Sequence, residues 1–377
     1  MKFDGKVSFF LPPLIGAGGE RVVLNLAKVF IDWGVQVDLV VPDTSGRHQK
    51  FMKTVPDGVR IIDLDTPLSY TVYLQKLYKL KNYLEKEKPK VMLANVDYVG
   101  IANTAKSLSR CSTKIIQVVH TNFSNEFGKL SRLEKQTKIM FARYFYPWSD
   151  GIITVSKGVA ADLASVANMP PETIKVIYNP VVTADLLVKA QAPIDHSWFQ
   201  PGQVPVILGA GRLMHQKDFA TLIRAFANVR TQRPCRLVII GDEGYERPAL
   251  ENLIRELQLE NDIHLPGFAE NPYAYMAKAQ VFVLSSRYEG FGNVLVEAMA
   301  TGTPVVSTNC PDGPAEILSD GRYGELVPIE SPDALADAII RTLDNPIESG
   351  TLQIRAQEFT SEKIAHQYLD YIDQILK

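Results

Sequence analysis

Two carboxylates, Glu289 and Glu297, stand eight residues apart in the most informative stretch of the chain. Between them, Gly290 and Gly292 lead from a short apolar run that ends at Leu284 into a predicted helix. The unpaired N–H groups at the start of such a helix attract an anion, and Glu297 lies about 7 Å further along its axis. The two carboxylates can therefore bracket an extended ligand, one reaching hydroxyls on a sugar and the other hydroxyls on a ribose. For each glutamate alone the alternative is helix-dipole compensation or a solvated face, but the pair within this glycine context is less ordinary.

Two cations follow another predicted strand. Arg212 and Lys217 come directly after the small residues 209–211, at the start of the next helix. A guanidinium can donate two parallel hydrogen bonds to phosphate oxygens, and an ammonium supplies a mobile point charge. The pair therefore suits a pyrophosphate. Two solvated surface charges would have the same spacing.

A glycine-rich loop follows the first predicted strand and contains Gly16, Gly18 and Gly19. Glycines there let backbone N–H groups approach an anion at a helix start. A dinucleotide fingerprint needs a third glycine where this chain has Arg21, and neither Asp38 nor Asp43 is well placed for a ribose. The loop therefore does not predict an NAD site. A plain turn that packs the helix on its strand remains an alternative.

Short apolar runs alternate with amphipathic stretches throughout, which is typical of parallel strands covered by helices on both faces. The predicted strands cover 6–11, 35–41, 91–94, 114–119, 151–155, 174–178, 204–209, 236–241, 263–265, 281–284, 304–307 and 324–327. The pattern predicts two doubly wound α/β domains, 1–182 and 200–360, with a linker over 183–203. A last predicted helix, 361–376, follows the second domain.

The composition conceals a charge asymmetry. The 377 residues are 46% apolar and 22% charged with a net charge of −2, which excludes disordered, collagen-like and disulfide-scaffold chains and disfavours a nucleic-acid binder. Residues 1–179 hold 24 Lys and Arg against 16 Asp and Glu, a net of +8, and the rest carries −10. The asymmetry indicates an anionic partner for the first half, or two domains that attract each other.

The start of the chain, with Lys2 before the apolar run 7–15, resembles a signal peptide, but we expect neither secretion nor a membrane-spanning helix. Its three cysteines, Cys111, Cys235 and Cys310, have spacings that predict neither a disulfide framework nor a metal site. No run of 18 apolar residues is present. Asp4, Pro12 and Pro13 break the apolar start, so we interpret it as a strand and expect a cytoplasmic protein.

The motifs together resemble glycosyltransferase family 4, the group 1 glycosyltransferases with the GT-B fold. The resemblance rests on the two glutamates within EGFGNVLVEAMATGTPVV and extends over nearly the whole chain. It includes GAGGE at 16–20, GRLMHQK at 211–217, GDEG at 241–244 and LPGF at 265–268. It implies two Rossmann-like domains that face a cleft, with helix 361–377 crossing back to the first.

The resemblance also implies a role for each matching residue. Arg212 and Lys217 would neutralise the diphosphate of a nucleotide sugar, Glu289 would hold the transferred sugar, and Glu297 would hold the ribose. Phe268 would lie against the base, and His120 would stand near the reacting sugar. A lone histidine after a strand is otherwise more often structural. The remaining donor-binding residues would be Gly16, Gly18, Gly19, Asp242, Phe291, Gly292, Asn293 and Val294.

The resemblance implies sugar transfer with retention of the anomeric configuration, without metal or other cofactor. Two-step retention needs a carboxylate nucleophile, and the sequence offers no obvious candidate. Asp63-Leu64-Asp65 matches the metal-binding triplet of transferases with another fold, but it lies outside the donor half and is interpreted as chance. Two alternatives stay open: an epimerase or hydrolase of the same fold, and a non-catalytic sugar-nucleotide binder.

The acceptor is expected to be a glycan or a lipid-linked molecule. Segment 308–318 resembles versions found in bacterial enzymes that build polysaccharides and lipid-linked oligosaccharides, which favours a UDP-sugar donor weakly. Two basic amphipathic stretches, 74–90 and 129–143, can contact anionic lipid at the cytoplasmic face of a membrane, although each can also be a solvated helix face.

Overall fold

The chain folds into two compact units. The computed structural model describes residues 3–12, 18–45, 52–66, 73–95, 99–126, 130–241 and 244–377. One unit comprises Met1–Pro180 with Ser361–Lys377, and the other comprises Val181–Thr360. Each is described below by itself.

The first unit is built on a parallel sheet that has seven strands in the described part of the chain, in the order β3-β2-β1-β4-β5-β6-β7. In register, Val7 of β1 lies opposite Val37 of β2 and Val91 of β4. The strands are β1 (Lys6–Phe10), β2 (Gln36–Val41), β3 (Arg60–Asp63), β4 (Val91–Asn95), β5 (Lys114–Val119), β6 (Gly151–Thr154) and β7 (Lys175–Val176).

Helices cover both faces of this sheet, because its strands are apolar on both sides. The described helices are α1 (Gly18–Asp32), α2 (Tyr73–Glu87), α3 (Val99–Ser109), α4 (Phe123–Glu126), α5 (Arg132–Phe145) and α6 (Lys157–Ala167). The last helix of the chain, α15 (Ser361–Leu376), also packs here beside α1. Its apolar residues Ile364, Tyr368 and Ile372 recur every four positions, so they form one buried face.

The second unit repeats the arrangement with six parallel strands among its described residues, in the order β10-β9-β8-β11-β12-β13. The strands are β8 (Val206–Ala210), β9 (Arg236–Ile240), β10 (Ile263–Gly267), β11 (Val281–Leu284), β12 (Val305–Thr308) and β13 (Glu325–Val327). Its helices are α7 (Ala184–Ala190), α8 (Phe219–Gln232), α9 (Arg247–Glu256), α10 (Pro272–Lys278), α11 (Asn293–Ala300), α12 (Pro314–Ile317), α13 (Pro332–Asp344) and α14 (Ser349–Ala356).

Segment 183–203, predicted as a linker, is part of the second unit instead. Thr183 caps α7 by accepting the N–H of Leu186, whose side chain is buried. Asn271 Nδ2 donates to the carbonyl of Lys189 at 2.8 Å, and Lys278 Nζ donates to Ala192 at 3.2 Å. The polar composition of this segment reflects caps and surface bonds against α10.

Both sheets have the strand order of a doubly wound fold, in which the order reverses between two neighbouring strands. The reversal lies between β1 and β4 in the first unit, and between β8 and β11 in the second. Ligands of such sheets bind outside the carboxyl ends of the strands at this point. The segments 211–218 and 285–292, which follow β8 and β11, are therefore the first place to look for a site. None of the described helices has the length and apolarity needed to span a bilayer.

Candidate active site

Two loops meet at the carboxyl ends of β8 and β11. Lys217 Nζ lies 2.5 Å from Glu289 Oε1, with side chains only 16% and 9% exposed. Two hydrogen bonds also join the loops: the side-chain Nε2 of Gln216 donates to the carbonyl of Tyr288 at 2.9 Å, and the backbone N–H of Arg287 donates to the carbonyl of Gln216 at 2.8 Å. The loops that carry the predicted cation and the predicted carboxylate are thus held together by a charged contact and two hydrogen bonds.

Two serines brace this junction. Ser285 Oγ donates to the carbonyl of Lys217 at 2.8 Å, and Ser286 Oγ donates to Glu289 Oε1 at 2.6 Å. Glu289 Oε1 therefore accepts from both a hydroxyl and an ammonium group. Hydrogen bonds to an ionised group are about twice as strong as neutral ones, so the carboxylate is firmly oriented.

A third segment, 308–313, lies against the second loop. Thr308 Oγ1 donates to the carbonyl of Ser286 at 2.6 Å, and the N–H of Glu289 donates to the carbonyl of Pro311 at 3.3 Å. Gly313, with φ +82°, passes so close to Phe291 that an added Cβ would lie 1.8 Å from the Phe291 carbonyl oxygen. Only glycine fits there without displacing one of the two segments.

Helix α11 begins where the second loop ends. Gly292 precedes it with φ +100°, a left-handed conformation that favours glycine. The Phe291 side chain is buried and packs edge-on against Phe359, with ring centroids 5.5 Å apart. Phe291 therefore presents its backbone, not its ring, to the site. Glu297 lies just over one turn into the helix and is 5% exposed.

Glycines bring the neighbouring strand ends together. The N–H of Gly211 donates to Ile240 at 3.0 Å, and the N–H of Gly241 donates to Gly267 at 2.8 Å. A Cβ at Gly241 would lie 1.9 Å from the Gly211 carbonyl oxygen, so any side chain would separate these strand ends. Phe268 follows β10 at this edge and is 70% exposed. The predicted residue Asp242 lies outside the described residues.

Arg212 differs from Lys217 in having no charged contact among the described residues. Its side chain is exposed, and it forms no ion pair with any residue that the structure describes. The loop thus holds one fixed cation and one solvated cation near the start of α8.

In the first unit, His120 follows β5 and lies against the start of α1. Its ring comes within 4.0 Å of the point where a Cβ on Gly19 would stand. Both ring nitrogens are shielded from solvent and lack a hydrogen-bond partner among the described residues. Burial lowers the pKa of His120 to about 4, so the imidazole is neutral at pH 7. Gly18 starts α1, and Gly16 lies outside the described residues.

His120 lines a small cavity of about 10 Å³ together with Asn95 and Tyr368. That volume is just enough for one water molecule, which could satisfy the imidazole nitrogens.

The carboxylates of Asp63 and Asp65 have local partners. Asp63 Oδ1 accepts the N–H of Asp65 at 2.7 Å, and Asp65 Oδ2 lies 3.3 Å from Lys79 Nζ. Across the ranges that the structure describes, no three His, Cys, Asp or Glu side chains are grouped so as to hold a metal ion.

Family models match both units. The model described as Glycosyltransferase Family 4 matches residues 16–185, and the model described as Glycosyl transferases group 1 matches residues 204–345. The chain belongs to this glycosyltransferase family. Its two parallel, doubly wound sheets are those of the GT-B fold.

Individual relatives of this glycosyltransferase match over nearly their whole length. It is 28% identical to the N-acetylgalactosamine-N,N'-diacetylbacillosaminyl-diphospho-undecaprenol 4-alpha-N-acetylgalactosaminyltransferase of Campylobacter jejuni, over 97% of this chain and 99% of that protein. It is 31% identical to the lipopolysaccharide core biosynthesis glycosyltransferase LpsD of Rhizobium meliloti, over 95% of both chains.

A solved structure with the same fold is that of Anabaena HepE in complex with UDP and glucose. The TM-score is 0.78 at 21% identity, covering 98% of this glycosyltransferase and 100% of the HepE chain. At that identity the likeness establishes the fold.

Sequence reasoning about this glycosyltransferase missed three residues that shape the site: Gln216, Ser286 and Gly313. Gln216 lies within the motif that supplies Arg212 and Lys217. Its bond to the second loop forms only because β8 and β11 are neighbours in the sheet, which the sequence does not show. Ser286 stands three residues before Glu289, which is ordinary loop composition. The adjacent residues Asp312 and Gly313 predict a turn but do not reveal the contact with Phe291.

We expect Gly313→Ala to destabilise the glycosyltransferase by at least about 3 kcal/mol, because a left-handed conformation and a backbone collision act together. Gly202 has the same φ of +82° with no atom within 4 Å, so Gly202→Ala isolates the conformational effect, about 1 kcal/mol. Urea unfolding measures both variants, and hydrogen exchange over 285–292 reports on the loop. Equal stability and equal exchange in the two variants would contradict this packing.

Proposed function

We propose that this glycosyltransferase moves a hexosyl or N-acetylhexosaminyl group from a UDP-sugar to a glycan or lipid-linked acceptor, with retention. The observation that carries the proposal is the contact between Lys217 and Glu289 at the strand reversal. It supports the proposal because it holds an ammonium group beside a carboxylate at the edge of the sheet where doubly wound folds bind ligands. In the proposal, the ammonium binds the diphosphate and the carboxylate binds sugar hydroxyls.

In this proposal the diphosphate binds between three sources of positive charge. The Arg212 guanidinium donates paired hydrogen bonds to the phosphate oxygens, and the Lys217 ammonium adds a point charge. The start of α11 offers backbone N–H groups near Gly292, Asn293 and Val294. Because these groups neutralise the diphosphate, we propose activity without a metal ion. We also propose donor-binding roles for Gly18 and Gly19 of the first unit, which lie at the start of α1.

The rest of the donor extends from this centre. Glu289 accepts hydrogen bonds from hydroxyls of the transferred sugar, and Glu297 accepts them from the ribose. Phe268, which is solvent-exposed at the end of β10, offers a ring for the base to lie against. The backbone of Phe291 contacts the sugar or phosphate.

The proposed reaction breaks the bond between the anomeric carbon and the β-phosphate oxygen. The acceptor oxygen bonds to the same face of that carbon, and its proton passes to the departing phosphate. Charge develops on the leaving group, so Arg212, Lys217 and α11 act where stabilisation is most effective. We also propose that His120, neutral at pH 7, forms a hydrogen bond near the anomeric centre, which requires that one of its shielded ring nitrogens becomes accessible to the donor.

Two proteins that this chain resembles support different parts of the proposal: the first supports UDP as the nucleotide, and the second supports transfer of an N-acetylhexosaminyl group. Anabaena HepE was solved with UDP and glucose, and the Campylobacter jejuni relative is named as an N-acetylgalactosaminyltransferase acting on a diphospho-undecaprenol substrate. The second name also supports a lipid-linked acceptor.

The donor is tested by the thermal shift that UDP-, GDP- and ADP-sugars produce. A UDP-hexose or UDP-N-acetylhexosamine at 100 times its Kd should add about 2.7 kcal/mol of stability. Arg212→Ala should weaken that binding at least tenfold, whereas the exposed Arg224→Ala in the same unit should not change it. A shift with GDP- or ADP-sugars alone would contradict the UDP proposal.

The bound donor then tests the reaction. Retention predicts that a new glycosidic bond keeps the donor's anomeric configuration, which NMR of the product reads directly. Release of free sugar without an acceptor would favour the epimerase or hydrolase alternative. Donor binding without turnover on any glycan or lipid-linked acceptor would favour a non-catalytic binder.

We propose further that α5 rests on an anionic membrane at its cytoplasmic face. Among its side chains only Ala142 is buried, whereas Leu133 is 74% exposed and Met140 is 71% exposed. These apolar groups share the helix with Arg132, Lys135 and Lys138, a composition that suits an interfacial helix. Ser131 and Glu134 form a capping box that stabilises the helix start.

The second basic stretch is less suited to lipid than the sequence predicts. Lys76 of α2 is buried, and desolvation lowers its pKa. Lys79 pairs with Asp65 and Lys81 pairs with Glu85, so much of the charge is already balanced. We therefore assign the membrane contact to α5.

Flotation with phosphatidylglycerol vesicles at low salt tests the contact. The protein should float with these vesicles, and Leu133→Glu with Met140→Glu should abolish this. Leu187→Glu, at a 46% exposed leucine of the second unit, is the matched control and should float as before. Absence of wild-type flotation at low salt would end the proposal.

A further inference from the structure

We propose that Ser286 is a positioning residue for the sugar-binding carboxylate of Glu289. The inference rests on the proposed role of Glu289 and adds a residue to that site. Ser286 Oγ donates to Glu289 Oε1 at 2.6 Å, and Ser286 is fully buried.

The direction of the Ser286 hydroxyl is set by its surroundings. Thr308 Oγ1, from the end of β12, donates to the Ser286 carbonyl at 2.6 Å and holds the backbone. Glu289 is held in turn by its own N–H, which donates to Pro311. The donor and acceptor of the Ser286–Glu289 bond are therefore both fixed to segment 308–313, beneath the loop.

The bond also decides which carboxylate oxygen faces the donor. Glu289 Oε1 accepts from both Ser286 and Lys217, while Oε2 forms no hydrogen bond with any residue in the described ranges. Oε2 is thus the oxygen available to sugar hydroxyls. With Oε1 fixed at two points, the carboxylate cannot rotate to exchange its oxygens.

Ser286 and Lys217 contribute differently once a diphosphate is present. The Lys217 ammonium has three N–H donors and can turn some of them toward phosphate oxygens. The Ser286 hydroxyl has one donor and is buried away from solvent, so its bond to Glu289 is independent of the phosphate. Ser286 thus keeps the Glu289 carboxylate in place while the Lys217 ammonium divides its hydrogen bonds between Glu289 and the diphosphate.

A purely structural serine would give a different result from a positioning serine. Loss of a structural hydroxyl would weaken the whole loop, including the start of α11, and so would weaken binding of UDP and UDP-sugar alike. Loss of a positioning hydroxyl would affect only the sugar contact. The comparison between the two ligands therefore isolates the role.

The experiment measures the Kd of UDP and of UDP-glucose, UDP-galactose, UDP-GlcNAc and UDP-GalNAc by calorimetry. Ser286→Ala should bind UDP as wild type does and bind the preferred UDP-sugar about tenfold more weakly, equivalent to about 1.4 kcal/mol. Ser307→Ala is the matched control, since Ser307 is also fully buried and donates to a backbone carbonyl, that of Thr308. It should change neither affinity.

Glu289→Gln separates the failure of this inference from failure of the proposed site. If Glu289→Gln leaves UDP-sugar affinity unchanged, the proposed site is wrong. If Glu289→Gln weakens UDP-sugar but Ser286→Ala does not, or weakens UDP equally, Ser286 has no positioning role. Support requires that Ser286→Ala add little to Glu289→Gln in the double variant.

Discussion

The contact between Lys217 and Glu289 is the constraint on which the second unit's site depends. The two residues are 72 positions apart in the chain and meet because β8 and β11 are adjacent in a parallel sheet. A mostly buried pair of charges is stable only when its remaining hydrogen-bonding capacity is used. Ser286 meets part of that requirement by donating to Glu289 Oε1, and Ser285 holds the carbonyl of Lys217, so the polar side chains of this edge form one connected arrangement. The remaining capacity of Glu289 Oε2 and of the Lys217 ammonium is what we propose the donor uses.

That arrangement explains why glycine recurs at the edge. The strand ends and the segments beneath them come into backbone contact at two points. A Cβ at Gly241 would collide with the carbonyl of Gly211, and a Cβ at Gly313 would collide with the carbonyl of Phe291. The close approach keeps the loops in register, and the register brings cation and carboxylate together. The second half of the chain is acidic as a whole, yet Arg212 and Lys217 put positive charge where a diphosphate is proposed to bind.

Much of the fold could be predicted from the sequence because apolar runs and helix signals are local. Strand β11 and helix α15 have the predicted bounds. Helix α7 lies within the polar stretch 183–203, which the sequence predicts as a linker. The motif around Glu289 predicted the start of α11, because glycines before helix formers are a local signal. Burial of Lys76 and the bond from Ser286 depend on packing between distant segments, so no local pattern could reveal them.

A crystal structure of the protein with UDP tests the central claim most directly. The account predicts diphosphate oxygens within about 3 Å of Lys217 Nζ, beside the start of α11, with the ion pair to Glu289 retained or shared. A diphosphate bound away from both Lys217 and the start of α11 would contradict it.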